Sequence, residues 1–211
     1  MGLSLVNYVD TYKAELASTI ELIDTDSVAR AVEWLRQARA NRRTIFVCGN
    51  GGSASTASHF ACDLVKGGSY QRAQRFKIMA LTDSLPTLTA YSNDVGYECV
   101  FAEQLKNFAT SGDIVICISG SGNSSNVISA MKYANSIGCR TISLTGRDGG
   151  KLGELAQLHI SVPVWHMGRI EDAHMSICHI LAYSFMDNDS LADMVGREDV
   201  LPLEQTGHVR G

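Results

Sequence analysis

His59 and Asp63 stand four residues apart in a segment of small and apolar residues, and Glu171 and His179 stand eight apart in a later one. On an α-helix each spacing puts its pair on one face. Two such faces meeting would gather two imidazoles and two carboxylates, a nitrogen and oxygen donor set suited to zinc. Without a metal, the crowded carboxylates would raise one pKa and suit general acid or base work. Each helix taken alone also reads as a solvated polar face, since Asp172 and His174 add polar residues to the second.

A second group of candidates lies in glycine- and serine-rich stretches. Gly49-Asn50-Gly51-Gly52-Ser53 follows the apolar run Thr44-Ile45-Phe46-Val47-Cys48, and Ser119-Gly120-Ser121-Gly122-Asn123-Ser124 follows Ile114-Val115-Ile116-Cys117-Ile118. Strand, turn and helix in that order present backbone N–H groups to a phosphate at the helix N-terminus. Ser53, Ser119, Ser121 and Ser124 would add hydroxyl donors. Neither stretch has the GxGxxG spacing of a dinucleotide site or the Lys-Ser/Thr pair of a P-loop. For one loop alone, Ser and Gly read equally well as turn and capping residues. Two such loops on one rim favour phosphate, which has several acceptor oxygens to satisfy together.

The elements that must position these residues follow from periodicity. Val9, Tyr12, Leu16, Ile20 and Ile23 step by three or four, which predicts a helix between Leu5 and Ile23. Asp24-Thr25-Asp26-Ser27 offers turn and N-cap residues ahead of a second amphipathic helix through Val28, Val32 and Leu35. Further strands are expected at Phe76–Leu81, Thr141–Leu144 and His159–Val164. Helices are expected at Leu85–Tyr91, at Glu98–Thr110, after Ser124, in a short piece after the turn Thr145–Gly150, and from about Ile170 to Met186. Such alternation predicts an α/β protein: a parallel sheet with helices on both faces and ligands outside the carboxyl ends of the strands. The chain reads as one domain over residues 1–190, with a polar, loosely held tail over 191–211.

Composition narrows the function classes. Eighteen basic against 22 acidic residues leave a net charge of −4, and no basic run stands out, so a cationic nucleic-acid face is disfavoured. The six cysteines are scattered without a CxxC pair, several inside apolar runs where a reduced thiol packs as a small hydrophobe. No apolar run reaches the roughly 18 residues of a membrane span, and the N-terminus lacks the basic and apolar regions of a signal peptide. The expectation is a cytoplasmic protein that binds a small molecule, not nucleic acid or a membrane.

Taken together, the two loops above and Leu144-Thr145-Gly146-Arg147-Asp148-Gly149-Gly150-Lys151 resemble the SIS (sugar isomerase) domain family. Over roughly residues 5–190 the sequence is similar to the phosphoheptose isomerases of that family. The resemblance implies a flavodoxin-like three-layer parallel sheet with N-terminal helices, assembled as a homotetramer with active sites between subunits. It implies a phosphorylated sugar as ligand, held by Ser53, Ser119, Ser121 and Ser124, with Asn50, Gly51, Gly52, Asp94, Gly120 and Glu171 completing the substrate site. The catalytic pair falls on Asp63 and His179, and the zinc ligands on His59, Asp63, Glu171 and His179. Three positions depart from the family pattern: Asp63 stands for Glu, Glu171 for Gln, and Gly120 where Thr is common. Two carboxylates with two neutral imidazoles would balance a divalent cation, so the first two changes read as retuning the site.

The activity implied is aldose–ketose isomerisation of sedoheptulose 7-phosphate to D-glycero-D-manno-heptose 7-phosphate through an enediolate, a step of nucleotide-activated heptose biosynthesis. Asp63 would be the base and His179 the acid. Two rival readings remain: isomerisation or epimerisation of a related phosphosugar, and a non-catalytic SIS protein that binds a phosphosugar or a partner of the replication-initiator type. Relatives of that last type lack the first-helix carboxylate that Asp63 supplies.

Overall fold

The computed structural model describes residues 5–188, so the tail expected over 191–211 lies outside the described residues. Five parallel strands, β1 (Thr44–Gly49), β2 (Lys77–Ala80), β3 (Ile114–Ser119), β4 (Arg140–Gly146) and β5 (Leu158–Val162), form one sheet in the order β2-β1-β3-β4-β5. This is the flavodoxin-like order. Val47 pairs with Ala80 on one side and Ile116 on the other, and Ile116 pairs in turn with Ile142. The helices are α1 (Leu5–Glu21), α2 (Thr25–Ala40), α3 (Gly52–Cys62), α4 (Leu85–Asp94), α5 (Val100–Phe108), α6 (Ser125–Ser136), α7 (Gly150–Leu155) and α8 (Met167–Met186).

Side chains alternate across the sheet and feed two cores. Ile45, Val47, Ile114, Ile116 and Ile118 pack with Leu35 of α2, Phe60 of α3 and Ile177, Leu181 and Phe185 of α8. On the other face, Phe46, Cys48, Val115 and Cys117 pack with Phe101 and Leu105 of α5, Val127 and Met131 of α6 and Leu152 of α7. Every residue of β3 is buried, which is why that segment reads as an unbroken apolar run.

The departures from the expected boundaries have local causes. Helix α4 runs on through Ser92 and Asn93 because the Ser92 hydroxyl donates back to the Leu88 carbonyl at 2.7 Å instead of ending the helix. Helix α5 is shorter than expected. It follows a 3-10 turn at Tyr97–Cys99 and stops at Phe108, where the buried Asp113 carboxylate takes over the N–H of Thr110 at 2.8 Å and also that of Thr44 at 2.9 Å. Helix α8 begins three residues early because His166 caps it, its Nδ1 accepting from the Arg169 N–H at 3.3 Å. Asp24 caps α2 as its residue type suggests, accepting from the N–H groups of Asp26 and Ser27. Among the described residues no helix is long and apolar enough to cross a membrane.

Candidate active site

Strand β1 lies between β2 and β3, so the chain leaves β1 toward one side of the sheet and later enters β3 on the other. The loops after β1 and β3 therefore open side by side at the carboxyl edge, where such sheets bind ligands. Gly51, at φ 54°, makes the left-handed turn into α3. A side chain on Gly49 would strike both Ser53 and the Ile118 carbonyl, so glycine there lets the first turn of α3 close on the end of β3. Ser53 is consequently buried in that turn.

In the second loop the Ser119 hydroxyl lies 3.1 Å from that of Ser124 and 3.5 Å from that of Ser121. Ser121 also serves its own turn, accepting from the Asn123 N–H at 3.2 Å. The glycine loop after β4 props this one from behind. Gly122 accepts from the Leu152 N–H at 2.9 Å and abuts the Gly149 carbonyl, leaving no room for a Cβ at Gly122.

Asn50 is engaged within the protein. Its amide pairs reciprocally with that of Asn126 at 2.8 and 2.9 Å, and its Oδ1 also accepts from the Tyr97 hydroxyl at 2.8 Å. Sequence reasoning did not single out Asn126 or Tyr97, and no spacing pattern marks them. Asp94 is exposed at the end of α4, accepting from the Asn93 amide at 2.7 Å, three residues before Tyr97.

Helices α3 and α8 pack side by side and run in the same direction: Glu171 meets Gly52 at the start of α3, and His179 meets His59 near its end. The two Nε2 atoms of His59 and His179 are 3.1 Å apart, and Asp63 Oδ2 lies 3.3 Å from the first and 3.9 Å from the second. Asp63 opens a π-helical turn, Asp63–Gly67, in which the Gly68 N–H reaches back to the Asp63 carbonyl. Such single turns recur at functional sites.

Whether these groups suit a metal can be judged from their chemistry. Asp63 Oδ2 is buried without a hydrogen-bond partner, and one donor atom from each of His59, Asp63 and His179 lies within 4.8 Å of the others. Tetrahedral zinc with bonds near 2.0–2.1 Å has donor-to-donor edges of about 3.3 Å, close to the spacings here. The three residues fit a divalent cation.

Glu171 does not join them. Eight residues at 1.5 Å per residue carry it about 12 Å along α8 from His179. The expected meeting of two imidazoles and two carboxylates thus becomes two imidazoles and one carboxylate. Gly52 has no Cβ, and the Glu171 carboxylate sits where one would be, at the amino end of α3.

His174, also on α8, belongs to the core. His174 is buried and its ring nitrogens have no hydrogen-bond partner. Burial pushes its pKa down to about 4. Cys178, beside the site, has its thiol pushed up, first by burial and then by the Asp63 charge. Both groups are neutral at pH 7 and take no proton from a ligand.

Comparison with known proteins bears on the whole arrangement. A SIS domain profile matches residues 7–146. The phosphoheptose isomerase of Aliarcobacter butzleri is 45% identical over 160 residues, covering 75% of this chain and 81% of that protein. The phosphoheptose isomerase of Helicobacter hepaticus is 40% identical over 172 residues, covering 81% and 87%. Among solved structures, the phosphoheptose isomerase from Neisseria gonorrhoeae superposes with a TM-score of 0.80 at 33% identity over 87% of this chain and 100% of that one. The phosphoheptose isomerase from Francisella tularensis does so with 0.82 at 26% identity over 88% and 100%. With its strand order, its serine loop and the alignment of α3 with α8 already pointing there, the chain belongs to the SIS-domain family, among the phosphoheptose isomerases.

Proposed function

We propose that this chain interconverts sedoheptulose 7-phosphate and D-glycero-D-manno-heptose 7-phosphate. The observation that carries the reading is the meeting of Asp63, His59 and His179 along the helix that the first glycine-serine loop opens. Ser53, Ser119, Ser121 and Ser124, with the amides at Gly51, Gly52 and Gly120, hold the phosphate. That remote group supplies binding energy that positions carbons 1 and 2. Asn50 and Asp94 border the sugar. Glu171, whose negative charge disfavours contact with phosphate, accepts hydrogen bonds from sugar hydroxyls.

Asp63 removes the proton from carbon 1 of the ketose and returns it to carbon 2 of the resulting enediolate, while His179 moves the hydroxyl proton. Oδ2 of Asp63 faces the imidazoles, which leaves the other oxygen for the proton. His59, Asp63 and His179 would hold zinc, with Glu171 outside that set. A divalent cation held there would supply Lewis-acid polarisation of the substrate's oxygens.

Residues 5–188 act as one domain. Exposed Leu5, Val6, Tyr8 and Val9 on α1 give further copies of the chain an apolar surface, in keeping with a homotetramer. Free thiols at all six cysteines suit the cytoplasm.

The test is proton NMR of the purified protein with sedoheptulose 7-phosphate in D2O, before and after chelation. Heptose 7-phosphate with deuterium at carbon 2, lost on chelation and restored by zinc, is the expected result. Phosphosugar binding without turnover would overturn the reading in favour of a binding protein.

A further inference from the structure

Asn50 borders the proposed sugar site, yet its carboxamide is almost fully spent inside the protein. An amide oxygen has two lone pairs, and Oδ1 of Asn50 already accepts from the Asn126 amide at 2.9 Å and from the Tyr97 hydroxyl at 2.8 Å. Its Nδ2 gives one hydrogen to Asn126 Oδ1 at 2.8 Å, which leaves a single N–H for a ligand. The group with lone pairs still to offer is the Tyr97 hydroxyl.

The direction of every bond in this chain follows from one backbone group. Val127 lies in the first turn of α6, where an N–H has no intrahelical acceptor. It can only donate, and it donates to the Asn126 side chain at 3.0 Å, so the atom facing it is the amide oxygen. Asn126 therefore turns its NH2 group toward Asn50, and Asn50 answers with its oxygen. The Tyr97 hydroxyl meets an oxygen that carries no hydrogen, so it must donate. Its one proton is committed. Toward anything outside the protein, Tyr97 can only accept.

The fold puts this acceptor at the start of both glycine-serine loops. Asn50 stands between β1 and α3, and Asn126 stands in the first turn of α6, so their paired amides tie together the helix starts that those loops open. Gly96, at φ 148°, turns the chain out of α4 in a conformation that side chains rarely adopt. The 3-10 turn Tyr97–Cys99 that follows packs on α6. Tyr97 keeps 53% of its surface exposed while its hydroxyl is held at Asn50. A half-open ring with a pinned hydroxyl is placed to read a ligand, not to fill the core.

We propose that Tyr97 determines specificity for the sugar chain: its hydroxyl accepts a hydrogen bond from one sugar hydroxyl between the carbonyl end and the phosphate. A dianionic phosphate and a carbonyl offer only acceptors, so this oxygen turns both away and selects the polyol stretch between them. This role rests on the reading that a heptose phosphate occupies the rim, and it adds to that reading the residue that recognises the middle of the ligand.

The test is titration calorimetry of the full chain and of Tyr97→Phe with three kinds of probe. The first is heptitol 7-phosphate, made by reducing sedoheptulose 7-phosphate so that no carbonyl remains to isomerise; the others are its 3-, 4-, 5- and 6-deoxy analogues, and inorganic phosphate. In the parent chain, one deoxy analogue should bind about three- to tenfold more weakly than the full heptitol, the range of a neutral hydrogen bond. Tyr97→Phe should lose the same factor on the full heptitol, bind that analogue as the parent does, and hold inorganic phosphate with unchanged affinity. A ring that merely shores up the loops would weaken phosphate and every polyol alike, and that result would overturn the proposal. So would full heptitol affinity in Tyr97→Phe, or losses that multiply for every analogue. No binding to the parent would overturn the heptose reading as well. Because the probes need no chemistry, coupling of Tyr97 to one hydroxyl in a chain that fails to turn over the ketose upholds Tyr97 and overturns isomerisation alone.

Discussion

Acid should unfold this protein partly through one histidine. His174 of α8 is neutral in the fold, its pKa held down to about 4 by burial, whereas in the unfolded chain it titrates near the ordinary 6.5. Above pH 6.5 both states leave it uncharged, and it contributes nothing to pH dependence. Between 6.5 and 4 only the unfolded state takes up the proton, so stability falls as pH falls. Below pH 4 the loss stops growing. A gap of about 2.5 units at 1.36 kcal/mol each makes the full loss about 3 kcal/mol, a large part of a typical folding free energy.

The comparison is His174→Gln against the parent chain in urea unfolding from pH 7.5 to 4.5, at one protein concentration so that association cancels. Carboxylates titrate in both proteins and drop out of the difference. The variant starts less stable or equal at pH 7.5 and gains on the parent by about 2–3 kcal/mol at pH 4.5. A stability difference that stays constant within about 0.5 kcal/mol across that range would refute the argument. So would an NMR titration placing the folded imidazole near 6.5.

Two further substitutions probe the His59–Asp63–His179 group and the frame. Asp63→Asn keeps the shape of the π-helical turn but removes the charge between His59 and His179; kcat should fall by about 10²–10⁴, with zinc content falling in parallel by metal analysis and the circular dichroism spectrum unchanged. Asp113→Ala strips the acceptor from the N–H groups of Thr44 and Thr110, both of which the fold holds with this carboxylate. A loss of about 3 kcal/mol in urea unfolding is expected, and a loss under about 1 kcal/mol would mean water replaces it.

Much of the site was legible because its signals are local. The apolar runs ahead of Asn50 and Ser119 mark buried parallel strands, since a strand covered on both faces has no polar position to show. The four-residue step from His59 to Asp63 survives the change from α- to π-helical winding between them closely enough to bring them within 3.3 Å. Other roles left no local trace. Asn126 and Tyr97 lie 76 and 47 residues from Asn50, with no periodicity joining them.

The sequence by itself determined which residues face inward and where the glycine-serine turns begin, because strand and helix periods and turn chemistry act over a few residues. Only the tertiary structure decided which faces meet. The order that sets β1 beside β3 opens their loops together. The same-direction alignment of α3 and α8 puts His179 against His59 and leaves Glu171 over Gly52. A helix period reports the side a residue occupies; the partner, and its height along that side, are chosen by packing between segments more than a hundred residues apart.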